Sequence, residues 1–174
     1  NGRKYLKNQA EIAGKYTHKS YEDINSDLDK QLQKQKEQVA EREKANAQAQ
    51  SQKSADILNL NNLLDLGVKS KKNKNGIVKS AYDKIKAGLA NNEEIEIDDS
   101  WSSDIKKKVA AYNASLDASV TSYNNMLESQ DQYWSLFYEN AAQKLENITS
   151  WYDRILGEYS ARSAEVEAMA ELAK

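Results

Sequence analysis

The side chains that most often do chemistry are scarce in this sequence. His18 is its one histidine, and there is no cysteine. That removes disulfides, thiolate nucleophiles and Cys-based zinc sites. It also leaves His18 without a second imidazole or a serine motif with which to ligate or relay protons. The acids Glu93, Glu94, Glu96, Asp98, Asp99 and Asp104 form a cluster with a balance of −6. A calcium loop needs alternating acids, a turn glycine and a bidentate glutamate at its twelfth position, and the cluster has neither that spacing nor that glycine. Capping and dipole pairing at a helix start account for it better. No metal or other cofactor is expected.

Lys69, Lys71, Lys72, Lys74, Lys79, Lys84 and Lys86 stand against Asp83, a balance of +6 over residues 69–86. A nucleic acid or anionic surface would draw such a run. Without an arginine fork or interleaved aromatics, a solvated loop offset by the next acidic turn is the better account, and no nucleic-acid contact is expected. Asn113-Ala-Ser and Asn147-Ile-Thr match the glycosylation pattern, which a Ser- and Asn-rich chain produces by chance. The aromatics gather late: Trp134, Phe137, Tyr138, Trp151, Tyr152 and Tyr159, with Tyr133 adjacent. They could stack sugars or bases, but flat rings filling a wide helix–helix interface explain them more simply. No residue set amounts to a catalytic site, so the chain is not expected to be an enzyme or to take a small-molecule substrate.

The elements that would position these residues are helices. Proline is absent, and Ala, Glu, Lys, Gln and Leu dominate. Leu, Ile, Val and Phe together supply 32 of 174 residues, about 18%. That is under the level usual for a compact enzyme, while the net charge of −2 lacks the repulsion of a disordered chain. No segment approaches the roughly 18 apolar residues of a membrane span. The beginning at Asn1 and the end in AMAELAK read as cuts in a longer protein, and no signal peptide is visible.

Apolar spacing divides the chain into four parts. Residues 1–20 are a helical lead, closed by Thr17-His18-Lys19-Ser20, where Ser20 and Asp23 have capping-box spacing. Residues 21–66 form a long helix with a stripe at Tyr21, Ile24, Leu28, Leu32, Gln35 and Val39 and a dense aliphatic patch from Ala55 to Leu66, stopped by Gly67. Residues 67–100 hold the basic loop, a short helix with Ile77, Val78, Ala81, Tyr82, Ile85 and Leu89 on one side that Gly88 and Asn91-Asn92 end, and an acidic turn in which Asp99 or Ser100 caps the next helix. Residues 101–174 form one very long helix, whose stripe runs from Ile105, Val109, Tyr112 and Leu116 through Val120, Tyr123, Leu127 and Gln130 to Trp134, Phe137, Ala141, Leu145, Ile148, Tyr152, Ile155 and Tyr159 and on to Arg162, Val166, Met169 and Ala173. Such a helix spans about 108 Å and its partner only about 69 Å. The expected fold is therefore all-α: an elongated antiparallel helical hairpin or coiled-coil-like bundle with one very long C-terminal helix. The uncovered part carries the aromatics, and Trp134, Phe137, Ile148, Trp151, Tyr152, Ile155 and Tyr159 are expected to mediate helix packing and self-association.

Residues 77–160, about half the chain, carry a resemblance. The segment GIVKSAYDKIKAGLANNEEIEIDDSW is followed by IKKKVAAYNASLDASVTSYNNML and by YENAAQKLENITSWYDRILGEY, with Lys144, Asn147, Ile148 and Tyr152 in a K-x-x-N-I-x-x-x-Y arrangement. This resembles helical regions of tape-measure proteins from long-tailed bacteriophages or prophages. The resemblance implies a structural protein packed in the tail tube whose length sets tail length, with copies of itself or other tail proteins as partners. It implies a location in the virion tail or, for a prophage, the bacterial host cytoplasm. It carries over no catalytic residue. An adaptor or binding coiled coil, secreted or on a bacterial surface and docking through its aromatic end, is the alternative.

Overall fold

The computed structural model describes residues 18–173. The proposed lead over residues 1–17 lies outside them. The fold is an all-α helical hairpin. Helix α1 spans His18–Asp65, α2 Lys79–Asn91 and α3 Ser103–Leu172. At Ser20, expected to begin the capping box, the backbone is already within α1. The residues fall into two compact units, one made of 38–130 and the other of the remaining parts of α1 and α3.

The unit of residues 38–130 contains the apolar core. Leu60 and Leu63 of α1, Ala81 and Ile85 of α2, and Ile105, Val109, Tyr112 and Leu116 of α3 are buried together with Ile77, Ile95 and Trp101. The helix ends explain how the chain turns back on itself there. α1 stops where Gly67 takes φ +74°, with its N–H donating to the Leu64 carbonyl at 3.0 Å. The loop after it is tied by a parallel bridge between Val68 and Ile77 and by the Asn73 amide, which donates to the Leu66 carbonyl at 2.8 Å.

α2 ends at Asn92, which is left-handed at φ 53°. Gly88, expected as a stop, sits buried inside the helix. A β-carbon there would collide with Ile95 Cγ1, so the missing side chain is what admits Ile95.

The acidic segment is held by two neighbours on α3. The Tyr112 hydroxyl donates to the Glu93 carbonyl at 3.0 Å. The Asn113 amide grips Ile95 twice, accepting its N–H at 2.9 Å and donating to its carbonyl at 2.8 Å. Trp101 closes the core with its Nε1 donating to Ser80 Oγ at 3.0 Å. The cap of α3 differs from the expected Asp99 or Ser100. Ser102 Oγ accepts the Ile105 N–H at 3.3 Å, while Asp98 turns back to accept the Ser100 N–H and hydroxyl at 2.9 and 2.7 Å. These bonds, hydroxyl first, hold the Asp98 carboxyl below its ordinary range.

Glu94 moves the other way. A hydrogen bond shared with the Asp117 carboxyl, reinforced by charge repulsion between the two, raises its pKa. A raised carboxyl binds its proton more tightly in the folded chain. The contact is therefore favourable as pH falls through the raised value and repulsive above it. Asp117→Ala is expected to return Glu94 to the ordinary carboxylate range in an NMR titration. An unchanged Glu94 midpoint would show that the two do not interact.

Candidate functional site

Two heptad tracks run along α3 at adjacent positions, about 100° apart around the helix. The apolar stripe expected to pack on α1 does so only from Ile105 to Leu116, where all four of its residues are buried. Beyond that point small and amide side chains face α1. In the unit of residues 38–130, Ser115 and Ser119 are buried. Ser115 Oγ donates to the buried Asp56 carboxylate. Gln50 Nε2 donates to the Ser119 carbonyl at 3.3 Å, and Gln130 Nε2 to Glu43 Oε1 at 3.1 Å. In the other unit, buried Asn140 donates to the Leu28 carbonyl at 3.0 Å and Asn147 donates to Asn25 Oδ1 at 3.2 Å. Lys144 pairs with Asp29. Serine side chains let the helix backbones come close, and the amides satisfy groups that burial would otherwise leave unpaired.

The second track is apolar and exposed. Val120, Tyr123 and Leu127 belong to it, each exposed. So do most of the residues expected to form the packing site. Trp134 is 52% exposed, Tyr152 55% and Tyr159 71%, with Phe137, Ile148 and Ile155 just beyond half-buried. Trp151, by contrast, is half-buried. From Tyr152 to Ala173 every residue of α3 is exposed.

Along α3 the rings meet one another. Trp134 meets Phe137 edge-on at 5.5 Å and Tyr133 at 5.2 Å, and Trp151 meets Tyr152 at 5.0 Å. Trp134, Phe137, Tyr138, Tyr152 and Tyr159 are thus not core packing among the described residues, whereas Tyr133 and Trp151 are half-buried. The exposed rings make an apolar ridge on α3, the kind of surface that marks an interaction face.

The polar track was missed at the sequence level, although its signal is present. Positions 115, 119, 122, 126, 129, 133, 136, 140, 143 and 147 alternate steps of four and three, and seven of them are Ser, Asn or Gln. Both glycosylation-like asparagines are used internally: Asn113 on Ile95 and, within the track, Asn147 on Asn25.

The lysines at 69–86 are exposed. Two of them lie over rings, Lys84 Nζ 5.8 Å from the centre of Trp101 and Lys86 Nζ 5.9 Å from that of Tyr82. Among the described residues, no group of three or more His, Cys, Asp or Glu is placed to hold a metal ion. None of their helices is long and apolar enough to cross a membrane. The feature with the chemistry of a site is therefore the exposed apolar track of α3, which can bind another apolar helix face. No protein-family model, curated protein or solved structure matches the chain.

Proposed function

We propose that this chain is a structural helical segment of a tape-measure protein from a long-tailed bacteriophage or prophage, acting through helix packing and self-association in tail assembly and length determination. The observation that carries the proposal is the 70-residue helix α3, which spends one track on its own hairpin and presents the other to solvent. A segment whose length is its function needs uninterrupted helix and a face for lateral packing, and it needs no cavity. The resemblance of residues 77–160 supplies the tail context.

The test is an in-frame deletion in the parent gene. Removing four heptads of α3, about 28 residues, should shorten the tail by about 42 Å, read by electron microscopy of negatively stained particles. Tails of unchanged length would overturn the length-setting role and favour a surface or secreted adaptor.

A further inference from the structure

We propose that Asn75-Gly76, in the loop between α1 and α2, is a site of spontaneous backbone modification. The pair closes to a cyclic imide and reopens to aspartate and isoaspartate, and the isoaspartate slackens the clasp that holds the loop shut. The inference goes beyond the function proposed above and does not depend on it.

The reaction needs only water. The Gly76 backbone nitrogen gives up its proton and attacks Asn75 Cγ. A bond forms between them as the bond from Cγ to the side-chain nitrogen breaks, and that nitrogen leaves as ammonia. Water then opens the imide at one of its two carbonyl carbons. Attack at Cγ gives aspartate with the ordinary chain. Attack at the Asn75 backbone carbonyl carbon gives isoaspartate, in which the chain runs through Cγ. No oxidation or reduction is involved, and a neutral amide becomes a carboxylate.

Four features single out this pair. Among the described asparagines only Asn75 precedes a glycine, so no β-carbon shields the attacking nitrogen. Asn75 is exposed, and its side-chain amide has no hydrogen-bond partner among the described residues. The Gly76 N–H donates to the Asn73 carbonyl at 3.4 Å, the longest of the loop's backbone bonds. Exposed Lys71, Lys72 and Lys74 surround it with positive charge, which favours the deprotonated nitrogen. Asn73, two residues away, is the contrast. Its amide is held on the Leu66 and Val68 carbonyls at 2.8 and 3.2 Å, and lysine follows it. In the helices the backbone nitrogens are committed to the helix bonds. The fold also keeps the labile partner in place: a β-carbon on Gly76 would collide with the backbone oxygen of Gly67 and nitrogen of Lys69.

The same tight fit gives the product its effect. Ile77 is clasped on both sides, its N–H donating to the Gly67 carbonyl at 2.8 Å and its carbonyl accepting the Lys69 N–H at 2.7 Å. Its side chain is buried in the core. Isoaspartate adds a carbon to the backbone just before Gly76, where there is no room to absorb it, so the clasp on Ile77 must give way.

The experiment ages the whole folded chain at several pH values and maps its peptides by mass spectrometry with an isoaspartyl assay. Asn75 should convert before every other described asparagine, at a rate rising about tenfold per pH unit while the nitrogen is mostly protonated. Asn75→Gln, which would have to close a larger ring, should remove the early conversion. Amide hydrogen exchange at Ile77 reads the clasp. The isoaspartyl fraction should lose protection there, while Asn75→Asp, with the same charge on an ordinary chain, should keep it. An Asn75 that outlasts any other described asparagine would overturn the site. An isoaspartyl fraction whose Ile77 amide is as protected as in Asn75→Asp would overturn the slackening. Neither outcome touches the tail-length measurement.

Discussion

Tyr112→Ala is expected to lower the unfolding free energy by about 3–5 kcal/mol, the range for removing a large ring from a packed core. Tyr112 is fully buried. It sits where α3 meets both α2 and the acidic segment, so no single neighbour can move in to fill its space. Its loss also strips the Glu93 carbonyl of the hydroxyl donor at 3.0 Å. Tyr112→Phe separates the two effects. It keeps the packing and should cost only about 1–2 kcal/mol. Burial, with the nearby Glu93 charge adding to it, holds the phenol above its usual pKa, so the donor survives to alkaline pH. The measurement is a urea titration at constant slope. A loss under about 1 kcal/mol for Tyr112→Ala would show that the core can collapse around the gap.

The second large effect is expected at Asn113. Its amide makes the two bonds to Ile95 that a neighbouring β-strand would make, in a segment with no strand beside it. Asn113→Leu leaves the Ile95 N–H and carbonyl without those partners next to a buried side chain. At about 1–3 kcal/mol for each orphaned group, partly relieved by water, the cost is about 2–4 kcal/mol. Asn113→Asp keeps the acceptor and loses the donor, and should cost less than Asn113→Leu. Equal losses would mean that the N–H bond contributes nothing. The acidic segment should also become a site of early proteolysis in Asn113→Leu, since its backbone is then held at fewer points.

The all-α hairpin was legible because its signals are local. Proline is absent, Gly67 stands where a left-handed residue must stop α1, and Ile105, Val109, Tyr112 and Leu116 recur at helical spacing next to a dense aliphatic patch. The face that α3 turns toward α1 was not legible beyond Leu116. Hydropathy counting follows Val120, Tyr123 and Leu127 and treats them as inward. The structure follows Ser119, Ser122 and Ser129 instead. Two heptad tracks are interleaved on one helix, and periodicity alone shows that both exist without saying which is paired. What decides between them is the matching track on α1, where Asn25, Asn46, Gln50 and Asp56 offer polar partners that apolar residues could not use. The cap of α3 was similarly ambiguous, because Asp98, Asp99, Ser100 and Ser102 all have capping chemistry and only the turn at Asp98 singles out Ser102. The aromatics were expected on an uncovered end of the long helix; Trp134 and Phe137 are exposed even though α1 still pairs beside them, because the polar track takes that face.

The polar seam between the helices has a thermodynamic consequence. The heat-capacity increment of unfolding follows the apolar area that becomes hydrated, and polar area subtracts from it. Residues 60–116 hold nearly all of the buried apolar side chains. The serines and asparagines that line the rest of the helix pairing contribute the opposite sign. The curvature of the stability curve therefore reports on a small fraction of the chain. Calorimetry should find a protein that is mostly helix yet has the heat-capacity increment of a much shorter one, with a broad, flat dependence of stability on temperature.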